Sequence, residues 1–195
     1  MVSDENQKLI DQLEERKNQL APPGPTMWKM LSARRTLSSN TLAHGETLQQ
    51  WQRTNYWMGL QIQQQIDLCF ERIKEINALV NESYGELRVT PLYSGDTEYL
   101  PVESMMDALA DFEDKLMSPG HPLRKAFDVY LTIVTIHPFA NGNGRTARLA
   151  GDWVLMENGF LPMCFDSPIQ SHVAITLNHP LRSKEKSFTK FLQAI

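Results

Sequence analysis

Apolar residues recur at alternating spacings of three and four over much of this chain, the pattern of helices that each bury one face. Ile62, Ile66, Cys69, Ile73, Ile76 and Val80 form the longest such stripe, and it predicts one helix from about Glu46 to Val80. The stripe lasts too few heptads for a coiled coil. Met105, Leu109, Phe112 and Leu116 predict another helix, stopped by Ser118-Pro119-Gly120. Proline is tolerated in a first turn, so Pro122 opens the next, with Leu123, Phe127, Tyr130, Leu131 and Val134 inward. Pro138 pushes His137 out of the α region and ends that helix near Ile136. A further helix starts near Asn143 and stops at Gly159, placed after Asn158 as a C′ residue.

The ends of the chain are read in the same way. Ser3 caps a helix with Asp4 and Glu5 in its first turn and Leu9, Ile10, Leu13 and Leu20 along one side. Ala21-Pro22-Pro23-Gly24-Pro25 ends it, so residues 1–25 form a helical arm and proline-rich linker, and residues 26–195 form the main domain. Short helices are expected at His172 to Leu177 and Lys184 to Leu192. One stretch departs from helical spacing: Leu87 to Tyr93 and Glu98 to Leu100 flank Ser94-Gly95-Asp96-Thr97, a hairpin signal whose Pro91 confines its strand to an edge. The expected fold is mainly α with one short hairpin.

Composition changes little. Apolar residues make up 42% and charged residues 22% of 195, as in ordinary soluble domains. The formal net charge of −4 and the lack of a basic stripe exclude a general nucleic-acid binder. No apolar run approaches a membrane span, and Met1 to Leu20 has no apolar core of a Sec signal. A reducing, cytoplasmic setting is expected; secretion into a host cell without a cleaved signal is the alternative. Cys69 and Cys164 sit apart among apolar residues and read as buried thiols. His44, His121, His172 and His179 have no metal-ligand spacing, and Trp28, Trp51, Trp57 and Trp153 read as core or interface.

The candidate chemistry is concentrated in His137-Pro138-Phe139-Ala140-Asn141-Gly142-Asn143-Gly144-Arg145-Thr146-Ala147-Arg148. Gly142 and Gly144 let the backbone take positive φ and let a ligand approach closely. Successive N–H groups there form an anion nest, and the following helix aims its positive end at the same spot. Arg145 and Arg148 share a helix face and can grip phosphates with forked hydrogen bonds. His137 can serve as a base near neutral pH, and Phe139 points inward as an anchor. The segment lacks the third glycine and the preceding strand of a dinucleotide fingerprint, and the chain has no GxxxxGK[ST] loop.

This segment resembles the Fic family motif, His-Pro-Phe-x-[Asp/Glu]-Gly-Asn-Gly-Arg-x-x-Arg, at eight of its nine specified positions. The resemblance runs from about Thr47 to Ile195 and implies a Fic-like helical bundle with a hairpin flap beside the active-site loop. It implies a protein nucleotidyltransferase that moves AMP from ATP, or UMP or GMP, onto a Ser, Thr or Tyr hydroxyl with release of pyrophosphate. His137 would be the catalytic base. Gly142, Asn143 and Gly144 would hold the α- and β-phosphates, Arg145 the β- and γ-phosphates, and Arg148 the γ-phosphate. A flap of Thr90, Leu92, Tyr93, Thr97 and Tyr99 would dock an extended segment of the protein target by strand addition.

Asn141 stands where the family has a carboxylate that helps hold Mg²⁺, the cofactor expected with ATP or another nucleoside triphosphate. An amide oxygen is a weaker metal ligand because it brings no charge. Asn141 supports one alternative, a catalytically poor binding module for a nucleotide or partner peptide, and the family resemblance implies another, a phosphocholine transferase. The family's inhibitory Ser/Thr-x-x-x-Glu-Gly/Asn helix has no match here, which suits either an unrestrained bacterial effector or a toxin held by a separate antitoxin.

Overall fold

The computed structural model describes residues 2–20, 48–81, 84–94, 96–164 and 184–195. The elements are α1 (Asp4–Gln19), α2 (Leu48–Gln63), α3 (Phe70–Asn81), β1 (Tyr93–Ser94), β2 (Thr97–Glu98), α4 (Val102–Met117), α5 (Pro122–Ile136), α6 (Asn143–Glu157) and α7 (Lys184–Leu192). The fold is mainly helical, as its spacing predicts.

The centre is the pair α5 and α6. Leu123, Phe127, Tyr130 and Val134 are buried on α5, and Trp153 on α6 is fully buried. Burying side chains of this size stabilises by about 1.5–3 kcal/mol each. Small residues set the spacing: a Cβ on Gly151 would meet Ala126 O at 3.2 Å and Met163 Cε at 3.1 Å, so α6 lies as close to α5 as backbone permits. That contact fixes the start of α6 relative to the end of α5. The arm is anchored too. Ser3 caps α1 at Asn6 N–H, Ile10 and Leu13 enter the core, and the buried Asn6 amide donates to Glu185 O and Oε2 and accepts from Thr189 Oγ1.

Three expectations need correction. The long helix from Glu46 to Val80 is two helices. Gln65 takes φ 57°, Gln65 N–H donates to Ile62 O and Ile66 N–H to Gln61 O, which is a Schellman ending that turns the chain back so that α3 packs on α2. Cys69 then opens α3, its carbonyl accepting from Ile73 N–H. Ile73, Ile76 and Val80 are buried as the stripe demands, whereas Ile62 and Ile66 are half-buried around the break. The second correction concerns the thiols, which are free but only half-buried. The third is the hairpin. Its strands are two residues each, paired Tyr93 to Glu98 and Ser94 to Thr97, because Leu87 bridges Phe139 instead and Pro91 offers no N–H to a ladder.

The linker at Ala21 to Pro25, the helix at His172 to Leu177, Trp28, His44, His172 and His179 lie outside the described residues. Among the described residues no helix is long and apolar enough to cross a membrane.

Candidate active site

His137 sits where α5 ends. Its N–H still bonds Ile133 O at 2.9 Å, but its own φ and ψ are 54° and 57°, the left-handed region. A C-terminal residue in that region is usually glycine; a residue with a Cβ costs about 1–2 kcal/mol there. The expected exit from the α region is thus taken to the left-handed side. The ring Nδ1 lies 3.1 Å from Val134 O. A carbonyl can only accept, so Nδ1 carries the proton and Nε2 keeps its lone pair. Burial lowers the pKa of the ring from the ordinary histidine value; the bond to Val134 opposes this, and the Arg88 charge adds to it.

Beyond Pro138 the loop is closed by reciprocal bonds. Phe139 N–H donates to Asn143 Oδ1 at 2.9 Å, and Asn143 Nδ2 donates to Phe139 O at 2.7 Å. Phe139 is buried, as its anchoring role requires. The Asn143 side chain is therefore a brace, and only its backbone N–H faces the start of α6. Asn141 Oδ1 accepts from Gly142 N–H at 2.7 Å. Its carbonyl accepts from Asn77 Nδ2 at 2.9 Å and Asn81 Nδ2 at 3.0 Å. Gly142 has φ 77°, and a Cβ there would come within 2.2 Å of the Asn81 amide, so α3 presses on the loop where only glycine fits. Gly142 caps α6 with no side-chain bond. The first N–H groups of α6, at Asn143, Gly144 and Arg145, precede the first helical bond, from Thr146 N–H to Gly142 O.

The two arginines have different surroundings. Arg145 Nη1 donates to Val80 O at 2.8 Å and Nη2 to Asn81 Oδ1 at 2.7 Å, so the end of α3 holds it. Arg148 is buried with its Nε unpartnered, its guanidinium 5.5 Å from the Trp51 ring centre. Burial pulls its pKa down to about 10, Tyr130 opposes that, and the neighbouring Arg145 charge lowers it further. It is still a cation at neutral pH.

Of the flap residues, Thr90 and Tyr93 are exposed and Leu92 is half-buried. Thr97 pairs with Ser94 in the ladder. Tyr99 N–H closes the hairpin onto Leu92 O at 2.9 Å. Its ring stacks on His137 with centroids 3.8 Å apart and planes at 17°.

Asn141 supplies one neutral oxygen that already accepts from Gly142 N–H, and no group of three His, Cys, Asp or Glu side chains suited to a metal occurs among the described residues.

Sequence reasoning missed the residues that hold the loop. Asn77 and Asn81 stand four apart beside the buried stripe of α3, and Asn77 Nδ2 also reaches Thr146 Oγ1 at 3.0 Å. Two amides flanking a buried helix face were a readable signal, because a buried amide must find partners. Arg88, buried between Leu87 and Val89, carried no such signal.

The site of this helical domain thus combines an uncapped helix start, a histidine with one free ring nitrogen and a buried arginine whose Nε has no partner. Residues 67–155 match the family model described as Fic/DOC family. Protein adenylyltransferase fic-1 from Caenorhabditis briggsae is 35% identical over 83 residues, 40% of this chain and 16% of that protein. A uridine 5'-monophosphate transferase from Xanthomonas campestris pv. campestris is 35% identical over 77 residues, 34% of this chain and 14% of that one. The crystal structure of a Fic family protein from Desulfovibrio desulfuricans superposes with a TM-score of 0.78 at 14% identity, covering 100% of this chain and 72% of the other. Residues 67–155 thus carry the likeness to the Fic/DOC family, and the fold is that of a Fic family protein. The chain spans 16% and 14% of the two curated relatives, which are much longer proteins.

Proposed function

We propose that this chain transfers a nucleoside monophosphate from a nucleoside triphosphate to a hydroxyl side chain of a target protein. ATP is the donor the adenylyltransferase relative supports, and UTP is the alternative that the uridine monophosphate transferase supports. The observation that carries the reading is the His137 ring, whose Nδ1 is engaged by Val134 O, leaving Nε2 as the base.

In the reaction the hydroxyl oxygen of Ser, Thr or Tyr attacks the α-phosphorus while Nε2 of His137 takes its proton. The bond from that phosphorus to the bridging oxygen breaks, and pyrophosphate leaves with the electron pair. The N–H groups at Asn143, Gly144 and Arg145 receive the α- and β-phosphates. Arg145, held by Val80 O and Asn81, takes the β- and γ-phosphates, and Arg148, whose buried Nε has no partner of its own, takes the γ-phosphate. Fixed donors of this kind, together with positioning, supply most of the acceleration in phosphoryl-type transfer. Magnesium that enters on the donor phosphates would neutralise part of their charge, and no protein step depends on it. The hairpin edge, with Thr90 and Leu92 leading into β1, Tyr93 in β1 and Thr97 in β2, would dock an extended target segment.

The test is to incubate the protein with a cell lysate and each labelled donor, alongside His137→Ala. Label on a protein with the wild type and none with the variant, which still binds donor, is expected. Labelling by His137→Ala would remove the base from this account. Binding without label under every donor would favour a non-catalytic scaffold, the reading that the neutral Asn141 supports.

A further inference from the structure

We propose that the hairpin segment positions the catalytic base, with Arg88 fixing the backbone of His137 and Tyr99 fixing its ring. The proposal rests on the reading of His137 as that base.

Arg88 is 3% exposed and bonds only backbone oxygens among the described residues. Its Nε donates to His137 O at 2.7 Å and its Nη2 to Ile136 O at 3.4 Å, so a cation covers the last carbonyls of α5. Its Nη1 donates to Thr90 O at 3.1 Å, and its Nη2 also donates to Leu100 O. Its own N–H bonds Pro138 O at 2.9 Å. One guanidinium thus ties both legs of the hairpin to both sides of the His137 peptide unit.

Folding alone gives little reason for this arrangement. A buried cation without a carboxylate partner is costly, and a glycine at position 137 would relax the left-handed turn without help. A strained residue whose surroundings over-determine its conformation is a common feature of reacting groups. Tyr99 completes the restraint. Its ring lies flat on the imidazole at 3.8 Å, and the hairpin bond to Leu92 O holds it there. A face-on ring restricts rotation about the histidine side-chain bonds. It leaves the ring edge, where Nε2 lies, for an incoming hydroxyl. Val134 O and Tyr99 thereby hold the ring and Arg88 holds the backbone that carries it, and two of the three come from the segment that would receive the target. A target strand seated on the hairpin would then meet a base already aligned by the same element.

The experiment compares the wild type with Tyr99→Leu, Tyr99→Phe and Arg88→Lys, using protein labelled with ¹³C and ¹⁵N at histidine and assigned with His137→Ala. The wild type is expected to show His137 ring signals shifted upfield by the stacked phenol, in the Nδ1–H tautomer. Tyr99→Phe keeps both features, Tyr99→Leu loses the upfield shift, and Arg88→Lys, which retains charge but not the fork, gives averaged tautomers. In the transfer assay Tyr99→Leu and Arg88→Lys lower kcat by roughly tenfold to a hundredfold, the cost of a misplaced group. Donor KM stays unchanged and Tyr99→Phe restores the rate. If Arg88→Lys does not fold, the half-exposed Tyr99 decides the matter alone. An unchanged His137 spectrum in Tyr99→Leu overturns the proposal, and so does a changed spectrum with wild-type kcat. If no donor gives transfer, the functional reading fails while the spectra still report whether the hairpin holds the ring.

Discussion

Replacing Asn143 by alanine deletes both side-chain bonds that close the turn from Phe139 to Asn143. Phe139 is 1% and Asn143 2% exposed, so water does not replace the amide where it stood. The lost bonds, of 2.9 Å and 2.7 Å, leave one N–H and one C=O without partners. An unsatisfied buried group costs about 1–3 kcal/mol, so Asn143→Ala should lose about 2–6 kcal/mol. That is a large share of a typical total of about 5–15 kcal/mol. Asn143→Asp isolates the donor half. It can still accept from Phe139 N–H, but an ionised carboxylate has no proton for Phe139 O and faces it with like charge. Burial raises the pKa of such a carboxyl. A folded-state value above the unfolded one means that stability is recovered at low pH and lost as pH rises through the raised value. The deficit of Asn143→Asp should therefore narrow on acidification, and that of Asn143→Ala should not. Urea unfolding at several pH values measures both, provided the slope with denaturant stays constant. Asn143→Ala within about 0.5 kcal/mol of the wild type, the range of an ordinary surface change, would refute the brace. A deficit for Asn143→Asp that ignores pH would refute the donor role of Nδ2.

Two further outcomes follow from the cations and the base. Arg148→Met should leave thermal stability equal or higher, since a buried charge with an open Nε is replaced by apolar volume. Affinity for ATP by titration calorimetry should fall about tenfold to a hundredfold, the worth of one charged hydrogen bond; lower stability with unchanged affinity would contradict the assignment. The pH profile of transfer should have its acid limb below the ordinary histidine value of about 6.5, because burial lowers the His137 pKa. The neutral ring is then present at that pH, and the rate falls as pH drops through the lowered value. Stability falls as pH drops from the ordinary histidine value to the lowered one, since the unfolded chain takes up the proton first. An acid limb above that value, lost in no histidine variant, would place the titration elsewhere.

Helices whose buried faces carry strong periodicity were legible in the sequence. Leu123 to Val134 and the Pro122 start describe α5 as it stands, and Asn143 and Gly159 bracket α6. The break at Gln65 was not legible because a stripe of spacings three and four is indifferent to a reversal between its members. Ile62 and Ile66 keep the spacing on either side of a turn that only backbone bonds reveal. No glycine marks it, since glutamine occupies the left-handed position. The hairpin was overextended for a related reason. Leu87 to Tyr93 reads as a strand by residue type, but Leu87 and Arg88 pair with the loop at Phe139 and Pro138, a partner some fifty positions away. Strand propensity reports a half-buried extended surface and says nothing of which segment lies opposite.

The candidate site shows the same division between what a residue is and what holds it. The motif names the groups that would meet substrate, and several of them are held by residues outside it. Asn77 and Asn81 fix the Asn141 carbonyl, Asn81 and Val80 O fix Arg145, and Arg88 fixes the His137 carbonyl. Asn143, read from sequence as part of an anion nest, has a side chain engaged with Phe139. These supports all lie within residues 67–155, the stretch that matches the family. Trp51, which covers Arg148, lies outside it. A motif in a flexible loop would hold its donors only on average, and positioning is the main contribution such a site can make to phosphoryl-type transfer. The amides of α3 and the guanidinium of Arg88 are therefore as much a condition of the proposed chemistry as the histidine and arginines they hold, and substituting them should lower kcat without removing any group that touches substrate.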